Sequence, residues 1–175
     1  MATSQLQLTL AIIKPDIAKM TLSVLQIRDM MLKHQFRIVR SKTVHLSPIQ
    51  AGQFYQEHEG KFFYHRLVTF MSSGPSHVHI LAKENAIQDW RALMGPTKVF
   101  KTRFEQPDTI RGRFGLTDTR NCSHGSDSDE TAKREIGFFF PQFDVDYFMA
   151  MDEPKFRQGP LWLDPATFEH VPADL

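Results

Sequence analysis

Leu6–Ile13 is an almost unbroken apolar run, partly β-branched, which predicts a buried strand. Pro15, inside Lys14-Pro15-Asp16, ends it. From Thr21 to His34 the period changes. Val24, Ile27 and Met31 recur at helical spacing, with Leu25 and Leu32 beside them. Phe36–Leu46 returns to alternation, with Phe36, Ile38, Val44 and Leu46 separated by basic residues, and reads as extended. Ser47-Pro48-Ile49-Gln50 is a helix start: Ser47 can cap, Pro48 fits the first helical position and Gln50 can close a capping box. Gly60 ends that helix. Phe63, Leu67, Phe70 and Met71 mark a second one, stopped by Ser72-Ser73-Gly74-Pro75. His77–Leu81 reads as a short strand, and Ala86–Met94 as a helix with Ile87, Trp90, Leu93 and Met94 inward, closed by Gly95-Pro96.

Residues 97–123 show no clean period and read as a long basic loop with one turn around Asp108–Phe114. A very short last strand is expected within 115–125. Ser128 can cap a helix running to about Phe139, and 141–175, with its prolines, reads as an irregular tail. Strand, helix, strand, helices, strand, helix, loop and helix in this order suit an α/β sandwich of the split-βαβ type. The expected division is a main domain over 1–150 and a C-terminal extension over 151–175.

Composition narrows the function. Hydrophobic residues make up 41% and charged residues 23%, which sets aside intrinsic disorder. The net charge of +1 does not describe a polycation built for nucleic acid. The charge is unevenly spread, however. Residues 1–140 hold 19 Lys/Arg against 13 Asp/Glu, and 141–175 hold 2 against 7, so the body suits an anionic ligand and the tail does not. The single cysteine, Cys122, has no internal partner, which points to a reducing compartment. On that reading the glycosylation sequon Asn121-Cys122-Ser123 is accidental. No apolar run approaches membrane-spanning length. The expected location is the cytoplasm, with the mitochondrion as the alternative.

The densest chemistry lies in Arg120-Asn121-Cys122-Ser123-His124-Gly125-Ser126-Asp127-Ser128. Small polar neighbours leave the His124 imidazole exposed one turn before a helix start, and Glu135 on that helix can return to it. A neutral His held by a carboxylate is a competent nucleophile or base. Taken alone, the same run also reads as a capped turn with an incidental histidine. Lys14, Arg91, Thr97 and Arg111 add cationic and hydroxyl groups, and Tyr55 and Phe63 lie near a helix–helix junction. Each has a plainer reading, as a solvated strand end, a helix-dipole partner or core.

Together, Ile13-Lys14-Pro15-Asp16, Tyr55 through Phe63, Arg91 with Thr97, Thr109-Ile110-Arg111-Gly112 and the His124 segment resemble the nucleoside diphosphate kinase family, in family order across roughly residues 6–145. HEGKFF, LMGPT, GLTDTRN and the acidic tail are most like its divergent type-six branch. The resemblance implies a ferredoxin-like βαββαβ fold with a four-stranded antiparallel sheet. It implies transfer of the terminal phosphoryl group from ATP or another nucleoside triphosphate to a nucleoside diphosphate, through a phosphohistidine on His124. It assigns Glu135 and Ser126 to support the imidazole, and Lys14, Arg91, Thr97 and Arg111 to hold phosphates. Asn121 would bind the sugar hydroxyl, Phe63 would stack on the base, and Tyr55 would position Lys14. Magnesium would be carried mainly by the nucleotide's phosphates, without a dedicated set of protein ligands. Three departures accompany the match. Ile17 stands where the family has Gly, Phe62 where it has Pro, and the 97–111 span is lengthened where common members make trimer contacts. That lengthening counts against the family's usual homo-oligomer. The alternative function is a nucleotide-binding or partner-binding module of the same fold with weak or no turnover.

Overall fold

The computed structural model describes residues 4–173. Four strands form one antiparallel sheet: β1 (Gln7–Ile13), β2 (Arg37–Val44), β3 (Ser76–Lys83) and β4 (Ser123–Gly125), in the order β2-β3-β1-β4. β1 is buried almost throughout, because it is central and apolar layers cover both its faces. Leu10 stands opposite Ile80 of β3, and Ile12 opposite His124 of β4.

After the short α1 (Pro15–Ala18), α2 (Thr21–Lys33) presents Val24, Ile27 and Met31 to one face of the sheet, joined there by α5 (Ala86–Met94) through Trp90 and Met94. Ile17, the residue in place of the family glycine, is buried in that same layer. The opposite face is covered by α3 (Pro48–Phe54), α4 (Tyr64–Met71) and α8 (Asp129–Phe139), through Phe54, Met71 and Ile136. The predicted capping box forms: Ser47 Oγ accepts from Gln50 N–H at 3.1 Å and Gln50 Oε1 from Ser47 N–H at 3.0 Å. Ser128 likewise caps α8 through Thr131 N–H. The short last strand falls within its expected interval.

Three segments differ from the sequence reading: the helix expected to reach Gly60 ends at Phe54, with a 3-10 turn over Gln56–His58 after it. The 97–123 stretch is not one long loop: α7 (Ile110–Phe114) falls at the expected turn, and α6 (Val99–Glu105) precedes it unannounced. Only Val99 and Thr102 of α6 turn inward, while Phe100 and Phe104 are exposed and hide the helical period. The tail is also more ordered than its prolines suggest. It contains α9 (Val145–Tyr147), a π-turn (Phe148–Asp152), α10 (Glu153–Gln158) and a hairpin of β5 (Leu161–Asp164) and β6 (Glu169–Pro172). Pro154 occupies the first turn of α10, where no N–H is needed, and Pro165 lies in the hairpin turn.

The tail packs on the body. Phe148 and Phe156 are buried in the α3–α8 layer, and Glu153 accepts from Leu6 N–H at 2.8 Å. Along the outer edge of β2, His170 Nδ1 accepts from Ile38 N–H at 2.8 Å and Glu169 Oε1 from Ser41 N–H at 2.9 Å.

Candidate active site

β4 is an edge strand of three residues, and it carries His124. The chain enters it through Cys122, which sits in the left-handed region at φ 63°. Lys14 N–H on Cys122 O at 2.9 Å fixes this corner. Burial, followed by the Asp16 carboxylate, pushes the Cys122 thiol up to about 12, so it is not a nucleophile at neutral pH. Pairing with Ile12 turns the His124 side chain toward the α3–α8 layer.

There His124 Nε2 lies 2.7 Å from Glu135 Oε2. Ser126 Oγ donates to Glu135 Oε1 at 2.7 Å and accepts from Leu10 N–H at 3.1 Å. Both Glu135 oxygens therefore act as acceptors. That arrangement keeps the imidazole proton on Nε2 and leaves the Nδ1 lone pair open. The side chain is 20% exposed, so the open nitrogen is reachable while the ring is held. The Phe54 ring meets the imidazole edge-to-face at 5.3 Å. Phe54 sits at a periodic apolar position, and nothing in the sequence separates it from ordinary core.

The cations gather beside this strand. Lys14 Nζ donates to Asn121 Oδ1 at 2.7 Å, and Asn121 Nδ2 donates to Asp118 O at 2.9 Å. Burial and then the Arg111 guanidinium lower Lys14 to about 8, with the Asp16 carboxylate opposing. Asp16 is itself buried with both oxygens unpartnered, and burial raises its pKa. Arg111 lies on α7, whose start is capped by Thr109. It donates to Gly95 O at 2.7 Å, Ser123 O at 3.0 Å and Asn121 O at 3.3 Å. Burial lowers it to about 10. Three of its five N–H donors are thus committed to carbonyls that frame the site, and two remain.

Arg91, near the end of α5, is exposed, and its charge reaches both Arg111 and Asp127. Thr97 is exposed just past Gly95, whose φ of 80° turns the chain there. Tyr55 is buried with its hydroxyl unpartnered, packed edge-to-face on Phe54 at 4.9 Å, and burial raises its pKa. Phe63 is half-buried at the start of α4, 5.5 Å from the His58 ring. Phe62, in place of the family proline, is 88% exposed. Hydrogen bonds therefore join His124, Glu135 and Ser126 in one cluster and Lys14, Asn121 and Arg111 in a second, adjoining one. Arg91 is tied in through its field, and among the described residues Phe63 and Thr97 make no hydrogen bond to either cluster.

The sequence profile described as nucleoside diphosphate kinase matches residues 7–145. "Nucleoside diphosphate kinase 6" of Xenopus tropicalis is 51% identical over 165 residues, covering 94% of this chain and 92% of that protein. The protein of the same name from Danio rerio is 53% identical over 154 residues, covering 88% and 87%. Among solved structures, a crystal form of the Aquifex aeolicus nucleoside diphosphate kinase superposes with a TM-score of 0.74 at 38% identity, covering 77% of this chain and 95% of that one. A four-stranded antiparallel sheet with its edge-strand histidine, found in such company, places the chain in the nucleoside diphosphate kinase family. Within the family it falls in the type-six branch. Among the described residues, no helix is long and apolar enough to cross a membrane.

Proposed function

We propose that the chain transfers the terminal phosphoryl group of a nucleoside triphosphate to a nucleoside diphosphate through His124. The observation that carries this reading is the imidazole anchored at Nε2 by Glu135 with Nδ1 open. Nδ1 attacks the terminal phosphorus. The N–P bond forms, the P–O bond to the leaving diphosphate breaks, and its electron pair departs with that diphosphate. Glu135 balances the positive charge that develops on the ring, and Ser126 keeps Glu135 in place. A second diphosphate then attacks the phosphohistidine, so one site serves donor and acceptor in turn.

Phosphoryl transfer depends on position and charge more than on covalent chemistry. Lys14 offers a point charge, Arg111 its two uncommitted donors, and Arg91 and Thr97 reach the phosphates from the rim. Asn121, held between Lys14 and Asp118, meets the sugar hydroxyl, and the half-exposed Phe63 face stacks on the base. Tyr55 closes the floor beside Phe54. These donors are cationic and hydroxylic, and among the described residues no three His, Cys, Asp or Glu side chains converge. Such a set fits phosphate oxygens, so magnesium would be held by the nucleotide's own phosphates. When bound it would neutralise their charge.

A second reading, nucleotide binding with weak turnover, draws on the commitment of Arg111 to three carbonyls. One experiment separates the two. The protein is incubated with γ-labelled ATP and magnesium, and nucleotide binding is measured in parallel. Acid-labile label on the wild type, discharged by a nucleoside diphosphate and lost in His124→Ala, is the expected result. Binding without label overturns the kinase reading in favour of the module.

A further inference from the structure

The His124 cluster also rests on a contact outside the residues assigned above. Trp90 is the largest fully buried side chain of the protein, packed edge-to-face on Phe36 at 5.9 Å. A buried indole N–H needs an acceptor. Its acceptor here is the main-chain carbonyl of His124, at 3.0 Å. The indole lies so close to this strand that a Cβ on Gly125 would stand 2.5 Å from Trp90 Cδ1 and 2.9 Å from Trp90 Nε1. Gly125 is therefore the residue that lets the ring approach, and the ring and the glycine form one fitted pair.

We infer that Trp90 is a positioning residue for the nucleophile: its indole N–H fixes the His124 peptide so that the imidazole meets Glu135 with Nδ1 outward. The inference rests on the phosphohistidine reading. β4 has only three residues and pairs on one side only, with β1, so it has few means of holding its own register. It is entered through a left-handed residue, which strains the corner. A donor from α5 beneath the strand supplies a constraint that the sheet lacks. Trp90 is also the neighbour of Arg91 on α5. One rigid helix thus sets both the carbonyl of the nucleophile and a cation proposed for the phosphates, and fixes their relative position.

The test exchanges the donor and keeps the shape. Trp90 is replaced site-specifically by β-(3-benzothienyl)alanine, which carries sulfur in place of the N–H. Turnover, nucleotide KM, thermal midpoint and the ¹⁵N and ¹H resonances of the His124 ring are compared with wild type. Loss of one buried hydrogen bond predicts a kcat about tenfold lower with KM within about twofold, together with a weakened Nε2–H signal. Equal kcat in the two proteins overturns the inference. A lower thermal midpoint with unchanged ring resonances also overturns it, because that pattern is packing alone. If the wild type takes no label, the phosphohistidine reading fails by itself, and the ring resonances still decide whether Trp90 sets the histidine.

Discussion

Lys14 carries a pH dependence of its own. Burial and the Arg111 guanidinium bring it from the ordinary 10.5 to about 8. Between those values the unfolded chain binds a proton that the folded chain does not, so folded-state stability rises with pH across that window. Phosphate binding runs the other way, because it needs the ammonium. Nucleotide affinity should therefore decline as pH rises through about 8, and the decline should vanish in Lys14→Gln. Calorimetric titration of a nucleoside diphosphate from pH 7 to 9.5 checks this; a flat wild-type profile would show that Lys14 does not meet the phosphates. The residues by themselves pointed to His124 with Glu135, beside a reading as a capped turn, and the roles of Ser126, Lys14 and Asn121 came from the family resemblance. Phe54 and Trp90 stayed invisible for a physical reason. A residue that packs beneath a nucleophile has the same apolar periodicity as one that packs anywhere else.

Among the elements, β3 holds a second titration. His79 is fully buried, its ring edge-to-face on Phe168 of the tail hairpin at 5.8 Å. Burial first, then the nearby Arg28 and His77 charges, lower it to about 3. Below its ordinary value of 6.5 the unfolded state takes up a proton that the folded state refuses, so stability should fall as pH drops from 6.5 toward 3. A shift of this size corresponds to about 5 kcal/mol. His79→Gln, neutral throughout, should flatten the stability–pH slope in that window, as measured by urea midpoints at successive pH values. An unchanged slope would assign the acid sensitivity to other groups. Strands and long helices were readable from hydrophobic period because the sheet and its two apolar layers impose that period. α6 and the tail were not. α6 buries two side chains and shows its aromatics to solvent, and the tail's prolines mark the ends of elements where an irregular chain was expected.

Taken whole, the C-terminal segment extends one apolar layer and borders the sheet. Phe148 and Phe156 complete the α3–α8 core, Glu153 ties down the start of β1, and Glu169 with His170 satisfies two N–H groups on the outer edge of β2. An uncovered β2 would present a row of unpaired donors, the usual template for strand-to-strand association. Two truncations separate these roles. Ending the chain at residue 158 removes the hairpin and retains both phenylalanines, so the α3–α8 core survives while the β2 edge is uncovered and His79 loses the Phe168 ring. Ending it at residue 140 removes the phenylalanines as well, and losing two buried aromatic rings costs several kcal/mol. The longer truncation should lower the thermal midpoint by about 10 °C or more, since about 1 kcal/mol shifts it by 2–4 °C at this size. The shorter one should lower it much less. Its expected signature is concentration-dependent growth in mass by light scattering, reversed by adding charge at the edge through Ser41→Lys. A 1–158 chain with the same mass as the full-length protein at every concentration would show that covering β2 is not what governs self-association.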